Sequence, residues 1–134
     1  MPVDKEYPRF FFDQFKVLWF IQQAQYEVDT YGIDGRGMLK LRSFGNIMEK
    51  GIQEFQQDVT YRNLRTRWVY LKDMYKTWET LKQLAGEGYD EVTNTFNLTE
   101  PRWAEILEVL PKAMRFKFNG LPNREQMTLL FAQI

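Results

Sequence analysis

The chain has 134 residues, 18 of them basic and 18 acidic, and contains neither cysteine nor histidine. The balanced charge excludes a uniformly basic or acidic surface. The two missing residue types exclude disulfides, zinc-finger ligand sets, thiol nucleophiles and Ser-His or Cys-His catalytic pairs.

Aromatic residues make up 16% of the chain, which stocks one well-filled core in a single domain of this size. No metal, cofactor, catalytic constellation or small-molecule substrate is expected. Apolar runs such as Val17 to Ile21 are too short to span a bilayer, so no membrane partner is expected. The opening MPVDKEYPRF lacks the charged-then-apolar layout of a signal peptide.

Residues 1–9 are expected to form an N-terminal arm and residues 10–134 a single domain. From about Phe10 to Tyr31, Phe11, Phe15, Leu18, Ile21 and Val28 recur at helical spacing and predict a first helix closed by Gly32. GIDGRG (Gly32 to Gly37) lacks the lysine and hydroxyl of a phosphate loop and reads as a connection. A second helix is expected from about Leu39 to Phe55, with Leu41, Phe44, Ile47, Met48, Ile52 and Phe55 facing inward. Asp58 or Thr60 then caps a third helix running to about Ala85, where Gly86 and Gly88 stop it.

YDEVTNTFNL (Tyr89 to Leu98) reads as an irregular stretch or a small hairpin turning near Asn94. Thr99 caps a fourth helix with Pro101 in its first turn and Trp103, Ile106, Leu107 and Leu110 inside, and Pro111 ends it. After an aromatic loop, Asn123 and Gln126 predict a capping box for a short last helix through Met127, Leu130 and Phe131. The fold class expected is all-α.

The third helix carries two rows. Tyr61, Leu64, Trp68, Leu71, Tyr75 and Trp78 fall on one side of it, as a core face does. Arg62, Arg65, Lys72 and Lys76 stand about 100° around from that face, so the packing that buries one row presents the other. Residues 59–86 hold six cations (Arg62, Arg65, Arg67, Lys72, Lys76 and Lys82) against Asp73 and Glu79, a net of +4. Residues 87–110 hold six acids (Glu87, Asp90, Glu91, Glu100, Glu105 and Glu108) against Arg102, a net of −5. Clustered cations of this kind suit phosphate recognition, and they also suit a merely solvated helix face. The acids do not follow a calcium-loop spacing and read as surface. PKAMRFKFNGLP interleaves Lys112, Arg115 and Lys117 with Phe116 and Phe118. That pattern either stacks bases while holding phosphates or ties a loop to the core with its cations in solvent.

LRTRWVYLKDMYKTWETLKQLAGEGYDEV, followed by Trp103 and then LPKAMRFKFNGLP, resembles the Myb/SANT-like domain of plants and fungi, related to companion proteins of Harbinger-type transposases. The residues that carry the resemblance are Leu64, Arg67, Leu71 and Tyr75, then Gly86, Gly88, Tyr89 and Asp90, then Trp103, Pro111, Ala113, Leu121 and Pro122. Tyr89 stands where the family has a tryptophan, and Trp68 and Trp78 stand at leucine-type positions.

The resemblance implies a three-helix, helix-turn-helix unit over about 10–86, with additional C-terminal helices in an extension over about 87–134. It also implies a nuclear, non-enzymatic module whose third helix lies in the DNA major groove, acting in transcription regulation or beside a transposase. The DNA contacts would be Arg62, Arg65, Arg67, Lys72 and Lys76. The alternative is a protein-interaction module that keeps the fold without DNA and binds a transposase, chromatin or transcription component. Its surface would be the acidic segment 87–110 or the third helix.

Overall fold

The computed structural model describes residues 6–134, so residues 1–5 of the expected arm, Lys5 included, lie outside the described residues. Among the described residues are five α-helices: α1 (Gln14–Tyr31), α2 (Leu41–Phe55), α3 (Tyr61–Ala85), α4 (Glu100–Val109) and α5 (Arg124–Phe131). Short 3₁₀ turns cover Gly86–Gly88 and Pro111–Phe116. A two-stranded antiparallel hairpin of β1 (Tyr89–Asp90) and β2 (Thr95–Phe96) pairs Tyr89 with Phe96. The fold is mostly helical, an all-α domain with helices added after the third. No helix among the described residues is long and apolar enough to cross a membrane.

Local chemistry sets most of the boundaries. Asp13 caps α1 by accepting from the Lys16 amide at 2.8 Å. At α3, Thr60 rather than Asp58 is the cap. Its hydroxyl accepts from the Asn63 amide while Asn63 Oδ1 accepts from the Thr60 amide, a reciprocal capping box. Thr99 caps α4, with Pro101 in its first turn, and α4 stops at Val109 ahead of Pro111.

Four expectations are corrected. First, α1 starts at Gln14 rather than Phe10. The cap at Asp13 leaves residues 10–12 outside the helix, and Phe10 lies in the core at 1% exposure. Phe11 and Phe15 are left outside at 65% and 67%. Second, α2 starts at Leu41, which is exposed. Leu39 fills the core from a bridge to Ile33. Third, no capping box forms at α5: Asn123 takes the left-handed conformation (φ 53°) with no side-chain cap bond. The aromatic loop, fourth, is the 3₁₀ turn at Pro111–Phe116, which buries Ala113 and Phe116.

The row on α3 is buried from Leu64 to Trp78, whereas Tyr61 is partly exposed, with its ring edge-on to Phe44 of α2. The row packs on α2 and also reaches elements that follow α3 in the chain. Its middle meets α5, where Phe131 lies 4.9 Å from Trp68 and 6.1 Å from Tyr75. Its end meets the hairpin, where Tyr89 lies 5.8 Å from Trp78. Since α5 packs on both α1 and α3, the C-terminal segment is part of the core around α3.

Buried Tyr75 gives this core a pH signature. Burial, and then the Glu79 carboxylate to which its hydroxyl donates at 3.1 Å, push its pKa from 10.0 up to about 12. The unfolded chain ionises this phenol near pH 10 while the folded chain holds the proton. The contribution of Tyr75 to stability is therefore complete below about pH 10 and is lost as pH rises toward about 12. Denaturant melts at about pH 9 and pH 11 should show a fall of about 1 kcal/mol attributable to this group. Tyr75→Phe should remove that part of the fall.

Candidate nucleic-acid interface

The outward face of α3 begins one helical step from the capped N-terminus. Arg62 and Arg65 are exposed there, followed by Val69 and, further along, Lys76, with Lys72 half-buried at the edge. The two arginines make no hydrogen bond or ion pair among the described residues. The two acids of the helix are already held elsewhere: Lys112 donates to both Asp73 oxygens at 3.1 Å, and Lys82 lies 3.8 Å from Glu79. The N-terminal half of the face therefore keeps a positive potential that its own helix does not neutralise.

The lysines are placed differently. Lys72 Nζ donates to the Gly37 carbonyl at 3.0 Å, and Trp68 Nε1 donates to the same oxygen at 3.3 Å. Gly37 itself sits at φ 77°, where a side chain is strained, and a Cβ there would collide with Lys72 Nζ. Asp34 shapes this loop by accepting from the Arg36 and Met38 amides at 2.8 and 2.9 Å. Those amides, Met38 first, hold its carboxyl below the usual carboxylate range. Lys76 Nζ donates to the Ile134 carbonyl at 2.7 Å. An ammonium has three donors, so each lysine retains capacity for an anion.

Arg67 points elsewhere, since two positions along a helix turn it about 200° from Arg65. Its guanidinium stacks over Phe12 at 4.6 Å and near Tyr70 at 5.2 Å. The five residues expected from the sequence thus divide in three: Arg62 and Arg65 are unpaired on the face, Lys72 and Lys76 are tethered at its far end, and Arg67 lies around the side. Arg9 was not among them. It stands beside the first turn of α3 because its backbone bridges Asp58 in the α2–α3 turn. Phe10, immediately after it, is buried and anchors the segment from the other side.

The two other charged stretches are partly engaged. Lys117 pairs with Glu100 at 2.8 Å, Arg102 with Glu105 at 2.9 Å, and Asp90 accepts from the Val92 and Thr93 amides. Within PKAMRFKFNGLP, Phe116 joins the core and Phe118 is exposed, so the stretch both ties a loop down and leaves one ring in solvent. Among the described residues no three acidic side chains converge to hold a metal.

The family described as Myb/SANT-like DNA-binding domain matches residues 20–106, from within α1 to within α4. No curated protein and no solved structure matches the chain. The matched span covers α2 and α3 entire, including the capped, arginine-bearing face. This chain belongs to the Myb/SANT-like DNA-binding domain family.

Proposed function

We propose that this chain is a nuclear, non-enzymatic module that binds duplex DNA by laying α3 in the major groove. It would act in transcription regulation or as a companion to a transposase. The observation that carries the reading is the pair of unpaired guanidinium groups, Arg62 and Arg65, on the outward face of a helix whose own acids are held by lysines. Arg65, at the centre of that face, suits bidentate contact with guanine, and the neighbouring Val69 suits a thymine methyl. Arg62, Arg67, Lys72 and Lys76 flank it and suit phosphates.

Titration of labelled duplexes with single variants tests this. Arg65→Ala should cost about 1–3 kcal/mol and relax preference at one base position. Lys76→Ala should leave preference intact and reduce the salt slope by about one unit.

A second reading keeps the fold without DNA and makes the acidic segment 87–110, or the face of α3, a docking surface for a protein. It is favoured by apolar side chains exposed within that acidic segment, Val92 at 92% and Val109 at 72%. Under this reading the α3 variants weaken a protein complex and duplex DNA does not bind.

A further inference from the structure

Arg9, ahead of the span matched by the family, shares a cleft with two of the α3 arginines. The Asp58 amide donates to the Pro8 carbonyl at 2.8 Å, Arg9 bridges Asp58, and Phe10 is buried immediately after. Three consecutive residues are therefore pinned against the α2–α3 turn, and Arg9 reaches α3 from a fixed root rather than from a free tail. Arg9, Arg62 and Arg67 together line a cleft of about 320 Å³ whose other polar walls are Asn63 and Thr66. Among the described residues no carboxylate lines it.

The guanidinium groups are held in place without being consumed. Arg67 stacks on Phe12 at 4.6 Å and Arg9 lies over Phe11 at 5.4 Å. Stacking occupies the flat face of a guanidinium and leaves its in-plane N–H donors pointing outward. Among the described residues none of the three donates a hydrogen bond or joins an ion pair. Three like charges lining one cleft, with no counter-charge among the described residues, are mutually repulsive, and an anion bound between them relieves that repulsion. An oxyanion with several accepting oxygens matches the forked donors that guanidinium groups present.

We propose that this cleft binds the phosphate backbone of duplex DNA through Arg9, Arg62 and Arg67, extending the interface beyond α3 to the segment before α1. The proposal rests on the DNA-binding reading above and deepens it. Arg62 belongs both to the outward face and to the cleft, so a strand bordering the groove that α3 enters passes directly from one to the other. Phe11 and Phe12 then serve as stacking supports for the arginines, which accounts for an aromatic run whose middle ring is left in solvent.

The test is a titration of labelled duplex DNA with the full chain carrying Arg9→Gln, at several salt concentrations between about 50 and 200 mM. Gln keeps a polar side chain and removes the charge. Because the Arg9 side chain is exposed, the thermal melt should stay at the wild-type value. The expected result is a slope of log K against log salt shallower by about one unit, and affinity about tenfold lower near 0.1 M salt, with base preference unchanged. Arg9→Lys should restore most of the slope.

Wild-type slope and affinity in Arg9→Gln, while Arg65→Ala still weakens binding, would overturn the cleft and leave the α3 reading standing. Relaxed preference at one base position would overturn the phosphate assignment. Failure of the unaltered chain to bind duplex DNA would overturn both readings.

Discussion

Trp68→Ala should destabilise the domain by about 3–5 kcal/mol in denaturant melts, the range for a large aromatic removed from a packed core. Trp68 is fully buried and sits where three parts of the chain meet. Its ring lies 4.9 Å from Phe131 of α5, and its indole N–H donates to the Gly37 carbonyl of the α1–α2 connection at 3.3 Å. Alanine removes the apolar area, opens a cavity beside Phe131 and releases one of the two donors that hold Gly37. Lys72 alone would then anchor that loop to α3. Phe131→Ala attacks the same contact from the other side, so the double variant should lose less than the sum of the two single losses. A loss below about 1 kcal/mol for Trp68→Ala would mean that α3 is not held by this face.

The boundaries legible in the sequence are those written in local chemistry. Gly32 and Gly86 close α1 and α3, Thr60 and Thr99 cap α3 and α4, and Pro111 follows the end of α4. The division of α3 into a buried and a charged face was legible for the same reason, since 3.6-residue spacing depends on nothing outside the helix.

What escaped is long-range or decided by a single cap. Asp13 starts α1 four residues later than the apolar spacing suggests, which turns Phe11 and Phe15 outward and Phe10 inward. Asn123 resembles a cap in sequence but takes a left-handed turn, with its neighbour Leu121 buried and the Leu121 carbonyl accepting from Asn94. Nothing local assigns α5 as the partner of Trp68. The carbonyls that Lys72 and Lys76 hold lie 35 and 58 positions away in the chain. Composition counted those lysines as free charge, whereas folding gives each a fixed acceptor.

One acid of the segment 87–110 is offset by a cation from outside it once the chain is folded. Charge of this sign opposes a polyanion within a Debye length of about 8 Å. Lys117, from outside the segment, pairs with Glu100, and Arg102, already counted in its net charge, pairs with Glu105; exposed pairs of this kind contribute only up to about 1 kcal/mol to stability.

The central claim, duplex binding through α3 and the residues around it, is tested most directly by the salt dependence of affinity for labelled duplex DNA. With about five phosphates neutralised by cations on and beside α3, log K should fall with log salt at a slope of about −4 to −5. Raising salt from about 50 to 200 mM should then weaken binding by about 250- to 1,000-fold. A slope shallower than about −1, or no binding at about 50 mM salt, would contradict the account.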